Sequence, residues 1–129
     1  MPEALPTVPG SSVTTGGSSG LSPEHRDALR LFGYLLLRQQ CYADAVAVFR
    51  GLLATDANDR HARRSLIYAY LASNEAEHAL ELAGTYVPQA DDPATATIHL
   101  LRAQALWRLG RPQEAREHLE RFIELRKVG

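Results

Sequence analysis

Asp44-Ala45-Val46-Ala47-Val48-Phe49 is echoed 34 residues on by His78-Ala79-Leu80-Glu81-Leu82-Ala83, and again after a further 36 by Glu114-Ala115-Arg116-Glu117-His118-Leu119. A repeat of this length is one supersecondary unit that cannot bury its apolar face alone and must stack on its neighbours. The two additional residues of the second interval fall in the loop around Ala90 to Pro93. Apolar residues around each copy recur at helical spacing, and no long strand-like alternation competes. The pattern predicts an all-α chain of six helices, at about 23–39, 42–55, 59–73, 75–87, 93–109 and 112–127. They pair into three helical hairpins, with repeats at about 26–59, 60–93 and 96–129.

Local signals fix the helix ends independently. Ser22-Pro23-Glu24 supplies an N-cap, a proline at the first helical position and an acid in the first turn. Asn58 or Asp59 can cap the third helix, Asp92-Pro93 opens the fifth, Gly110 closes it and Pro112 starts the sixth. Before Ser22 the chain changes character. Pro2, Pro6 and Pro9 are followed by a run of Ser, Thr and Gly, too poor in large apolar groups to offset its ordering entropy, so residues 1–21 are expected to be a disordered tail ahead of a folded domain at 22–129.

At 129 residues there is room for one domain. With 14 basic against 15 acidic residues the formal net charge is -1, so no overall field draws the chain to nucleic acid or an anionic membrane. The arginines alternate with acids and form no basic stripe with stacking aromatics, which argues against RNA. Start residues Met1 to Pro6 lack the basic and apolar regions of a Sec signal, and no apolar run approaches a membrane span. A cytoplasmic protein without direct membrane insertion is expected. The single cysteine, Cys41, excludes an internal disulfide and reads most simply as a small buried residue; no local His prepares it as a nucleophile. No Gly-rich loop follows a strand, and His25, His61, His78, His99 and His118 lack paired ligand spacing, so no cofactor, metal or catalytic residue is expected.

The repeats resemble the tetratricopeptide family, in which small residues let the two helices of a hairpin approach closely. Ala45, Ala79 and Ala115 match the small position of the second helix, and Gly33 and Ala103 that of the first; the middle repeat has Ile67 there, which suggests a wider or shifted helix pair. Leu29, Phe32, Leu36, Phe49 and Leu52 extend the match in the first repeat, and Leu106, Leu109-Gly110-Arg111-Pro112, Leu119 and Phe122 in the third. The resemblance implies a short right-handed solenoid whose first helices line a concave side. On that side, helical spacing sets Arg30, Tyr34, Leu37 and Arg38 from the first repeat. Arg64, Tyr68 and Leu71 follow from the second, and Leu100, Gln104, Trp107 and Arg108 from the third. The second helices carry Asp44, Glu75, Glu77, Glu81, Glu114, Glu117, Glu120 and Glu124, which places much of the acid on the convex side. Aromatic and Arg side chains are favoured interface anchors, so the concave set suits an amphipathic segment bearing acidic and apolar residues. The alternative reading is that the aromatics only fill gaps between hairpins. No Asn accompanies the arginines, so a clamp for a C-terminal carboxylate is not expected. At the other end Leu119, Phe122, Ile123 and Leu125 exceed what packing on one hairpin needs, which makes the uncapped C-terminal end a second candidate surface.

Gly33-Tyr34-Leu35, Ala62-Arg63-Arg64-Ser65-Leu66, Leu101-Arg102-Ala103-Gln104 and Glu124-Leu125-Arg126-Lys127 resemble strings of the tetratricopeptide chaperones of bacterial type III secretion, most closely the SctY (YscY) group. That resemblance implies a heterodimer with a small secreted component of the SctX type, presented to the export-gate protein SctV. The Pro/Ser/Gly tail is not part of the group's pattern. The needle-subunit chaperones of the same system, a general tetratricopeptide scaffold and, from a different class, a thiol hydrolase using Cys41 remain as alternatives.

Overall fold

A computed structural model describes residues 21–89 and 92–128. The expected disorder of the tail falls on residues 1–20, outside the described residues. Six helices and no strand occur among the described residues: α1 (Pro23–Arg38), α2 (Tyr42–Thr55), α3 (Arg60–Ala72), α4 (Ala76–Ala83), α5 (Ala94–Arg108) and α6 (Pro112–Val128). Each packs on the next, and α3 packs on α5 as well, so the hairpins form a short solenoid with α1, α3 and α5 on one side.

The turns inside the hairpins repeat atom for atom. Gln40, Asn74 and Gly110 occupy equivalent positions and all have positive φ, 63°, 66° and 76°. The amide after each donates back into the preceding helix, Cys41 to Leu36 O, Glu75 to Tyr70 O and Arg111 to Leu106 O, and so satisfies carbonyls that a helix end leaves unpaired. The starts of α1 and α3 are capped as the sequence predicts, and Asp92-Pro93 leads into α5 with Asp92 bonded to its first amide. Ser22 Oγ accepts from the His25 amide at 3.2 Å, Asp59 Oδ1 from Ala62 at 2.9 Å and Asp92 Oδ1 from Ala94 at 2.9 Å.

Those two aspartates also tie the repeats together. Arg26 at the start of α1 donates to Asp59, and its equivalent Arg60 at the start of α3 donates to Asp92. Each inner helix thus holds the aspartate that precedes the next one, Asp59 as the N-cap of α3 and Asp92 one residue ahead of the Pro93 cap of α5. The Tyr86 hydroxyl, which donates to Asp92 at 2.6 Å, and Arg60 hold the Asp92 carboxyl down at a pKa of about 2. Burial pushes Asp59 up, but the Ala62 amide, Arg26 and Arg30 outweigh it and the net direction is down.

Ala45, Ala79 and Ala115 are buried where helices of a pair meet. Gly33 lies against Phe49, and the departure at Ile67 has a matching one: Ala83 holds in α4 the place of Phe49 in α2. Large and small have changed sides, Gly33 with Phe49 in the first hairpin and Ile67 with Ala83 in the second. Ile67 and Ala83 are both fully buried in the same cluster, so volume exchange accommodates the isoleucine that suggested a wider or shifted pair.

Two expectations need correction. The fourth helix stops at Ala83 and not near residue 87, because Tyr86 turns inward and is buried beside Ala79, Ala94 and Ile98, with the Arg60 guanidinium 4.2 Å over its ring. Burying that ring gains more than one further turn of helix through Gly84 would. Cys41 is exposed, not buried, since it follows the left-handed Gln40 in the tight turn and projects from the stack.

Candidate functional site

The inner helices leave an open groove of about 680 Å³ lined by Tyr34, Leu37 and Arg38 of α1, Arg64 and Tyr68 of α3 and Thr97 and Leu101 of α5. Leu31, Leu35 and Ser65 complete the wall. A second hollow of about 370 Å³ lies between α5 and α6, where Leu100, Gln104, Trp107 and Arg108 meet Pro112, Ala115, Arg116 and Leu119. The expected concave set is therefore divided between two neighbouring hollows that share α5.

Two members of that set lie elsewhere. Leu71 is buried in the core with Ile67 and Ala105, and Arg30 is held by Asp27 at 2.8 Å and Asp59 at 3.5 Å. Spacing alone cannot tell a helix face that looks into the groove from one that packs on the next inner helix. The same template passed over Leu31, Leu35, Ser65 and Leu101. Leu31 and Leu35 were legible, because i+4 and i+8 from Asp27 belong to the face that carries Tyr34 and Arg38.

The three aromatics have different roles. Tyr34 is a gap filler as well as a groove residue: its hydroxyl and His61 Nε2 are hydrogen-bonded at 2.7 Å, and its ring stands edge-on to His61 and to Phe49. Burial, followed by the nearby Arg64 and Arg30 charges, pushes the His61 pKa down, so the imidazole is neutral at pH 7. Tyr68 and Trp107 are open, 51% and 68% exposed. Among the described residues neither Arg38 nor Arg64 has a carboxylate partner. The groove thus offers apolar walls, an exposed phenol and two uncommitted guanidiniums. Arg108 donates to the Leu71 carbonyl at the end of α3, which fixes α5 beside α3 and leaves its stem as part of the second hollow.

Most of the outer acids are exposed as expected, though Glu75 is half-buried and accepts from Ser73 Oγ at 2.8 Å, Glu114 is paired with Arg111 just ahead of α6, and Glu124 with Arg121 within it. At the C-terminal end Leu119 and Ile123 are exposed, while Phe122 and Leu125 are half-buried. Tertiary structure also joins two histidines that sequence spacing kept apart. His99 and His118 stack at 5.2 Å with their Nδ1 atoms 3.0 Å apart, and burial first, then surrounding positive charge, pushes both pKa values down. No group of three metal-ligating side chains occurs among the described residues, and no helix there is long and apolar enough to cross a membrane.

Stacked helical hairpins with a concave, Arg- and Tyr-lined groove define a helical-repeat protein built to hold another polypeptide. Tetratricopeptide-repeat profiles match residues 18–60, 30–92 and 65–127. The chain belongs to the tetratricopeptide-repeat family, whose members typically act as non-catalytic scaffolds for protein interaction. A comparison with the curated proteins finds no match.

Proposed function

We propose that this protein is a cytoplasmic chaperone of bacterial type III secretion that holds a small secreted export component of the SctX type as a heterodimer and helps present it to the export-gate protein SctV. The observation that carries the binding mode is the groove between α1, α3 and α5, with Arg38 and Arg64 uncommitted and Tyr68 exposed above apolar walls. An amphipathic helix with acidic residues flanking its apolar stripe fits that chemistry, because aromatic and Arg anchors supply contact area and charge together. The assignment to secretion rests on the resemblance of the Leu101-Arg102-Ala103-Gln104 and Glu124-Leu125-Arg126 strings to the SctY group.

Co-expression with the small proteins encoded beside it, followed by co-purification and mass spectrometry, tests the assignment: an SctX-like protein should be retained, and retention of a needle-like subunit in its place would refute it. For the groove, Arg64→Glu with Tyr68→Ala should weaken the retained complex at least about 100-fold, the loss of two anchors, with helicity by circular dichroism unchanged. Unchanged affinity would move the site to the convex face or to the C-terminal end.

A further inference from the structure

Among the described residues, the largest run of exposed apolar side chains on one helix is on α1, the first helix of the stack. Leu31, Phe32 and Leu35 are 60%, 51% and 49% exposed, and Ala28 is exposed beside them. Glu24, Ala28, Leu31, Leu35 and Arg38 fall at i, i+4, i+7, i+11 and i+14, one narrow stripe on the side of α1 opposite Gly33 and the core. The stripe is apolar in the middle, acidic at its start and basic at its end. Neither Glu24 nor Arg38 has an ion-pair partner among the described residues.

We infer that this stripe pairs with the same stripe of a second copy of the chain, the two α1 helices running antiparallel across a two-fold axis near Leu31. That arrangement sets Leu31 of one copy against Leu31 of the other and each Leu35 against the other's Ala28, and brings each Glu24 to the other's Arg38, a self-complementary contact of the kind two-fold symmetry demands. A parallel pairing would face Glu24 with Glu24 and Arg38 with Arg38. The helix is 16 residues, about 24 Å long, and one helix pair of that size falls short of the roughly 1,200 Å² of a standard interface, so association is reversible. Leu31, Leu35 and Arg38 also line the groove. The dimer therefore covers apolar surface while the groove is empty and gives way when a partner enters, a consequence that rests on the groove being the partner site.

Sedimentation equilibrium of the full chain over a concentration series tests the pairing. The average mass should rise from 14.2 kDa towards twice that value. Glu24→Arg, which lies outside the groove, should weaken association about tenfold by setting Arg against Arg38 twice, and Glu24→Arg with Arg38→Glu should restore it. Groove-partner retention by the Glu24→Arg single variant should be intact whether or not the dimer exists, so the two readings fail separately. A chain that stays monomeric throughout, or a dimer indifferent to Glu24→Arg and lost with Ile123→Glu, would overturn the inference. So would a monomer that dimerises only when residues 1–20 are removed, since the chain's own N-terminal segment would then occupy the face.

Discussion

Gly33→Ala tests the packing that sets the first hairpin. A Cβ at Gly33 would lie 2.6 Å from Cζ, 2.9 Å from Cε2 and 3.0 Å from Cε1 of Phe49. Phe49 is fully buried among Ala45, Leu52 and Ala62, so its ring has no free space to swing into. Overpacking of this kind costs about 1–3 kcal/mol, while alanine in place of glycine inside a helix returns up to about 1 kcal/mol. The net expectation is a loss of about 1–2 kcal/mol, with roughly 4–8 °C lower Tm for each kcal/mol in a domain of this size. All three clashing atoms belong to the ring and are absent from leucine. On a Phe49→Leu background, Gly33→Ala should therefore become neutral or stabilising, giving the Ala–Leu combination that the third hairpin carries at Ala103 and Leu119. Urea denaturation of the wild type, both single variants and the double variant measures the coupling. A Gly33→Ala protein as stable as wild type, or a cycle additive to within about 0.5 kcal/mol, would refute the argument.

Gln40→Gly should stabilise the chain by about 0.5–1 kcal/mol in the same urea assay, because Gln40 holds φ at 63° where a side chain is strained and the equivalent third-repeat residue is already Gly110. Acid should destabilise the protein in two windows. The lowered pKa values of His61, His99 and His118 mean that the unfolded chain takes up protons first, so their contribution is complete above about pH 6.5 and declines as pH falls through their folded values. The Asp92 contribution is complete above the ordinary 3.8 and is lost as pH falls through about 2. Asp92→Asn should flatten the lower window of a Tm-against-pH curve and leave the upper one in place, and an unchanged lower window would show that the Arg60–Asp92–Tyr86 contact does not stabilise the fold.

Much of the fold was legible because its determinants are local and recur. The 34-residue and 36-residue shifts, Ser22 and Asp59 as caps, and Gly110 with Pro112 placed every helix start within a residue or so. The misplaced end of α4 came from a long-range event, the capture of Tyr86 by Arg60, Asp92 and the core around Ala79, Ala94 and Ile98, which no local propensity signals. Cys41 was misread because burial statistics favour an interior cysteine, whereas the left-handed turn before it points the side chain outward.

For the groove, helical spacing identified Tyr34, Arg38, Arg64 and Tyr68, since residues on one face of an inner helix share a neighbour whatever that neighbour is. It could not see that Leu71 faces α5 or that Asp59 joins Asp27 in holding Arg30, because both depend on where the next hairpin sits. The sequence by itself determined the number of hairpins, their boundaries and the residue types turned inward, all of which follow from periodicity and caps within one repeat. Only the tertiary structure decided which of those residues remain uncommitted, that Ile67 and Ala83 exchange the volumes of Gly33 and Phe49, and that the outer stripe of α1 is left bare. The volume exchange depends on which positions of one hairpin face each other across its two helices, and the other outcomes on contacts between repeats, where a side chain's partner can lie more than thirty positions away along the chain.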